Sequence, residues 1–229
     1  GRADPNARAG PQLKGATALY LAAQGQHTEA AAALLAAGAH VDLPLDEIGV
    51  TALFVATERG GVATVRLLRA HGGSWRARNW NGVDAFHMAA LRGHVGVLAA
   101  LRETMESAAE LADALASRDN DGATCLLAVA AGGAAAADDG ALPPRKRAAT
   151  LRWLLDAGAD ASTTRADGQT PLVAAVAAGH ADAVGVLRPA ASAADVARAL
   201  ELAIARREPE MIALLSNDLD QGPTSDVII

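Results

Sequence analysis

The stretch Gly168-Gln169-Thr170-Pro171-Leu172-Val173-Ala174-Ala175-Val176-Ala177-Ala178-Gly179-His180 decides the reading of this 229-residue chain. Thr170 can cap a helix with its hydroxyl, and Pro171 fits the first turn, where its missing N–H costs nothing. Asp167-Gly168 just before it supplies the positive φ of a tight turn. Reading outward, a glycine followed two residues later by a capping residue recurs at Gly15/Thr17, Gly49/Thr51, Gly82/Asp84 and Gly122/Thr124. The capping residues are separated by 34, 33, 40 and 46 residues, which sets a base unit of about 33 residues with insertions in two units. That length suits two short helices and a turn.

The second half of the unit repeats as well. Leu34-Leu35-Ala36-Ala37-Gly38-Ala39-His40-Val41-Asp42 matches Leu154-Leu155-Asp156-Ala157-Gly158-Ala159-Asp160. Gly38, Gly72 and Gly158 each follow a leucine-rich run, where a left-handed glycine ends a helix without a Cβ clash. Leu19, Leu53, Phe86, Leu126 and Leu172 share one repeated position, and Leu34, Leu68 and Leu154 another, so both sets are read as core. Alanines at 22, 23, 56, 89, 90, 130 and 175 keep the first helix thin, and each unit borrows its core from its neighbours. Thr170-Pro171-Leu172 with Gly179-His180, Phe86-His87-Met88-Ala89-Ala90 with Gly93-His94, and the Leu-Leu-x-x-Gly-Ala segments together resemble ankyrin repeats. The resemblance implies an all-α repeat solenoid of helix-turn-helix units joined by β-hairpin loops.

Expected boundaries follow the markers. Residues 1–14 read as the tail of a truncated upstream repeat, and 15–48, 49–81, 82–121, 122–167 and 168–191 as five repeats. Residues 192–219 read as a degenerate capping repeat with Arg207-Glu208 in place of Gly-His, and 220–229 as a mobile tail. Arg198, Glu201, Arg206, Arg207 and Glu210 would give that cap a polar face. The insertion of the third unit, Glu103 to Ala116, has helical spacing and is expected to lengthen a helix. That of the fourth, 132–147, suits a flexible loop ending in Arg145-Lys146-Arg147, three basic residues being fewer than a nuclear-import or docking patch carries. A tail beginning inside a repeat points to a larger parent protein. The apolar terminus Val227-Ile228-Ile229 resembles a PDZ ligand or is simply an end.

Composition bounds the function. The chain is 51% hydrophobic but only 3% aromatic, and its net charge of −6 offers no broad basic face for nucleic acid. No apolar run approaches the ~20 residues of a membrane span. A lone Cys125 excludes an intramolecular disulfide, and a reducing, cytoplasmic compartment is expected, the nucleus being a further possibility. His27, His94 and His180 fill the repeated Gly-His slot and His87 the histidine of the TPLH-like slot, so each has an architectural reading. With no nucleophile, phosphate loop or metal motif, no enzyme activity, cofactor or metal is expected.

In the ankyrin family the hairpin tips and the exposed side of the first helix form a concave, protein-gripping face. The matching positions here are Asp46 and Glu47; Arg76, Arg78, Asn79 and Trp80; Arg118 and Asp119; Arg165; and, on the helices, Glu58, Arg59, Met88 and Arg92. Trp153 is expected in the core and Trp75 half-buried. Trp80, at a tip where the fold asks for nothing apolar, is the expected anchor, and the arginines around it suit an acidic and apolar partner segment. The resulting expectation is a monomeric protein–protein interaction module. The alternative is the targeting arm of a larger multidomain enzyme such as a ubiquitin ligase, acyltransferase or kinase.

Overall fold

The computed structural model of the protein describes residues 3–45, 49–132 and 142–216. Asp46 and Glu47, most of the fourth-unit insertion and the expected tail lie outside them. Six helix pairs follow one another: α1 (Ala18–Gln24) with α2 (Thr28–Ala36), α3 (Ala52–Glu58) with α4 (Val62–Ala70), and α5 (Ala85–Leu91) with α6 (Val95–Glu103). After an extra helix, α7 (Ala108–Ala116), come α8 (Cys125–Ala130) with α9 (Pro144–Asp156), α10 (Pro171–Ala177) with α11 (Ala181–Leu187), and α12 (Ala193–Arg206) with α13 (Pro209–Ser216). The first helices α1, α3, α5, α8, α10 and α12 stack in one layer, and α2, α4, α6, α9, α11 and α13 in a second.

The recurring capping residues start the first helices. The side chains of Thr17, Thr51, Asp84 and Thr124 accept from the backbone N–H groups of Tyr20, Phe54, His87 and Leu127. Thr170 departs from this pattern: Pro171 follows as foreseen, but the Thr170 hydroxyl caps nothing and is buried with no hydrogen-bond partner. Gly38, Gly72 and Gly158 take φ of 95°, 84° and 98° just past α2, α4 and α9. At the last unit Arg207 adopts the same left-handed region, φ 59°, beyond the end of α12.

One hydrophobic cluster runs the length of the stack and contains Leu19, Leu53, Phe86, Leu126 and Leu172 along the first helices, with Leu68 and Leu154 from the second. Leu34 packs against it half-buried. Ala56, Ala89, Ala90, Ala130 and Ala175 are fully buried, as the close approach of neighbouring first helices requires. Trp153 packs at the rim of the cluster, its ring centroid 6.0 Å from that of Phe86. Trp75 is buried more deeply than expected, at 2% exposure.

The insertions differ from expectation in form. The third unit's insertion does not extend α6, which stops at Glu103. The Thr104 hydroxyl bonds back to the Ala100 and Leu101 carbonyls at the end of α6, and Ser107 opens α7 as a separate helix by accepting from the Glu110 N–H. Arg145, Lys146 and Arg147 lie in the first turn of α9 rather than on a loop. Arg147 is 4% exposed, and its guanidinium makes two 2.8 Å bonds to the Asp182 carboxylate of α11. No described helix is long and apolar enough to cross a membrane.

Candidate partner-binding surface

Between the helix pairs the chain forms finger loops, and two of them are each built on one side chain. The Asn79 amide oxygen accepts from the N–H groups of Asn81 and Val83, both at 3.0 Å, and Gly82 closes the turn at φ 73°. Asp119 repeats the arrangement one unit on, accepting from Asp121 and Ala123. Among the described residues these loops carry no strand, only single bridges at Arg8–Thr17 and Leu45–Val50, so the hairpins are reduced to side-chain-held turns. Asn79 and Asp119, expected to face a partner, each spend one side-chain oxygen on the turn itself.

The fingers are stitched to one another. Asn120 gives its backbone N–H to the Asn81 carbonyl at 3.1 Å and its amide N–H to the Trp80 carbonyl at 2.9 Å. Arg78 donates to the Arg118 carbonyl at 2.9 Å and the Ser117 hydroxyl at 2.8 Å, and Arg118 to the Thr164 carbonyl of the next finger at 2.6 Å. None of these acceptors is charged, so the exposed Arg78 and Arg118 hold the row together through neutral oxygens. Trp80 stands beside them, 74% exposed.

Arg76 is exposed but engaged. Its guanidinium lies 4.3 Å over the Trp75 ring and pairs with Asp113 of α7 at 3.0 Å. Beneath it Glu110 gathers the Trp75 indole N–H at 2.7 Å, the Arg69 guanidinium at 3.2 Å and the Glu106 N–H at 2.9 Å. Burial would raise the Glu110 carboxyl, but these donors hold it below the usual range. The inserted helix is thereby clamped to the preceding unit, and its side forms one wall of a recess of about 320 Å³ lined by Trp75, Arg76, Arg78, Asp84, Asp113, Ala116 and Ser117. Nothing in the spacing of the chain pointed to Glu110, because Arg69, Trp75 and Arg76, with which it pairs, lie more than thirty residues away.

On the first helices, Arg92 pairs with Glu58 of the neighbouring unit at 2.7 Å, a contact that neutralises part of the expected cationic patch. Arg59 is exposed at the end of α3, its carbonyl taken by the Gln26 amide. Met88, expected on the exposed side of α5, is 4% exposed and belongs to the core. In the middle of the stack neighbours on both sides cover all of α5 from Ala85 to Ala90, leaving only the end of the helix at the surface. Arg165, at a more distant finger, is tied to Asp167 of its own turn at 2.7 Å. Of the expected positions, Trp80, Arg78, Arg76 and Arg118 are exposed on the finger loops and Arg59 at the end of α3, while Glu58 and Arg92 pair with each other; Asp46 and Glu47 lie outside the described residues.

Comparison with known proteins bears on the same geometry. Residues 2–79 match the family model for ankyrin repeats, described as three copies. The crystal structure of an ankyrin repeat domain from Acinetobacter baumannii AYE superposes with a TM-score of 0.66 at 22% identity, over 86% of this chain and 95% of that one. The chain has the ankyrin-repeat fold. Within this ankyrin stack the Gly-His histidines of α6 and α11 act as expected of the fold: His94 bonds the Glu58 carbonyl and His180 the Ala130 carbonyl, both at 3.0 Å and each in the preceding unit.

The stack also brings a serine, an aspartate and a histidine together. Ser117 donates its hydroxyl to Asp84 at 2.6 Å, and Asp84 in turn bonds His87 at 3.0 Å. The carboxylate lies between the other two, so the imidazole has no hydrogen bond to the hydroxyl and cannot take its proton. Burial, then the nearby Asp84 charge, pushes the Cys125 thiol up to about 12, far from thiolate reactivity. No cluster of metal-binding side chains occurs among the described residues.

Proposed function

We propose that this protein is a non-catalytic recognition module that presents the fingertip row around Trp80 to a protein partner. Ankyrin repeats generally serve as protein–protein interaction modules, and the observation that carries the reading for this chain is Trp80 itself. An indole 74% exposed has no packing role in the stack, and a tryptophan beside arginines is the composition of a binding hot spot. The row is ordered in advance by the Arg78, Arg118 and Asn120 bonds, so little ordering entropy is lost when a partner docks.

The partner segment that suits this surface carries carboxylates beside apolar side chains. A carboxylate can take the charge of Arg78 and Arg118 that backbone carbonyls leave unneutralised, and an apolar side chain can cover the Trp80 ring. A monomeric, cytoplasmic protein recognising such a segment is the reading we favour. Selection of binders from a displayed random-peptide library tests it. Enriched sequences should combine Asp or Glu with Leu, Phe or Trp and should lose binding as salt is raised. Enrichment of basic sequences, or binders indifferent to substitution of both Trp80 and Arg78, would overturn it.

A further inference from the structure

The third unit differs from its neighbours at two linked positions. Where the others start their first helix with Thr17, Thr51, Thr124 and Thr170, it has Asp84; where they carry Tyr20, Phe54, Leu127 and Val173 three residues on, it has His87. Both side chains of the pair are completely buried. We propose that this unit is closed by a buried imidazolium–carboxylate pair, Asp84–His87, which acts as a pH-sensitive joint and sets the Arg78 fingertip through Ser117.

The geometry favours the charge. The His87 ring has an acceptor at each nitrogen: the Asp84 carboxylate 3.0 Å from Nδ1 and the Ala123 carbonyl 3.2 Å from Nε2. Beside an ionised Asp84, a neutral imidazole has one N–H and would turn a lone pair toward one of these oxygens in the core; the imidazolium satisfies both. Asp84 is saturated in turn. One of its oxygens accepts from the His87 N–H and ring, the other from the Ser117 hydroxyl, which itself accepts from Arg78. A continuous chain of hydrogen bonds thus runs from the exposed Arg78 through Ser117, Asp84 and His87 to the backbone of the next unit.

The other groups around the pair are few. Asp119 of the neighbouring finger adds a second negative charge, and Cys125 of α8 is held protonated. On the helices packed against α5, Glu58 is engaged by Arg92 and His94 by the Glu58 carbonyl. Burial alone would lower the His87 pKa, but Asp84, Ala123 and Asp119 outweigh it and hold it above the ordinary 6.5. For Asp84 burial is likewise outweighed by bonds from His87 and Ser117, and its carboxyl falls below the ordinary 3.8. The histidine's contribution to stability is therefore whole below 6.5 and is lost as pH rises through the raised folded value. The aspartate's is whole above 3.8 and is lost as pH falls through its lowered one.

The test is an NMR titration of the full chain uniformly labelled with ¹⁵N, joined to thermal midpoints across the same pH range. Both His87 ring nitrogens should report N–H at pH 6, and the ring should titrate above ordinary histidines. The backbone amides of Ser117 and Arg118 should shift with the same midpoint, and the thermal midpoint should fall through it. In Asp84→Thr, which keeps the cap its neighbours use, the alkaline fall and the shifts at Ser117 and Arg118 should vanish. A wild-type His87 that is a single neutral tautomer at pH 6 overturns the proposal, whether or not the variant folds. So does an Asp84→Thr protein with the wild-type pH profile.

Discussion

At the scale of single residues, what a side chain does here depends on which atoms reach it, and the five helix starts show this well. Thr51 and Thr170 occupy one repeated position, yet Thr51 caps its helix while the Thr170 hydroxyl is buried without a partner. Thr51→Val should cost about 1 kcal/mol, the usual worth of a cap, whereas Thr170→Val should be neutral or stabilising because it removes an unsatisfied polar atom. Urea midpoints of the two variants check this; equal losses would mean that Thr170 does cap α10 in solution. The repeated spacing identified both threonines as helix starts, but the missing bond at Thr170 depends on the orientation of one hydroxyl, which no spacing encodes. The same holds for Met88, whose burial follows from neighbours on both sides of α5 rather than from its own surroundings in the chain.

At the scale of elements, packing between successive units carries the stability. Leu68 is fully buried in α4, and Leu68→Ala should cost about 2 to 5 kcal/mol, read as a drop in the denaturant midpoint. A loss under about 1 kcal/mol would put the register of α4 in error. The Arg147–Asp182 pair between α9 and α11 makes a sharper case, since its guanidinium is nearly dry. Asp182→Ala should cost about 3 kcal/mol by stranding a buried cation, and Arg147→Met with Asp182→Ala should recover most of that loss. Thermal melts of the single and double variants settle it, and a double variant as unstable as the single would contradict the assignment. Helix starts, glycine stops and the leucine positions were legible because they repeat in phase. Arg147 was misread as part of a loop, and α7 as an extension of α6, because their decisive partners, Asp182 for one and Arg69 and Trp75 for the other, come from different units.

At the scale of the whole molecule, two layers of helices with no large aromatic core leave one row of loops to do the distinguishing work. That row is held by side-chain bonds from finger to finger, and the exposed large apolar side chain on it among the described residues is Trp80. The expectation that Trp80 is a surface tryptophan came from its place between Asn79 and Asn81; how Arg78, Asn120 and Ser117 order the loops around it emerges only in three dimensions. The most direct measurement is calorimetric titration of the wild-type protein and Trp80→Ala with a library-selected acidic-apolar peptide, together with the thermal midpoint of each protein. The predicted result is an unchanged midpoint with binding weakened by about 2 kcal/mol, roughly 30-fold. An unchanged affinity, or a fall in the midpoint with normal binding by the folded remainder, would contradict the role of Trp80 as the partner's anchor.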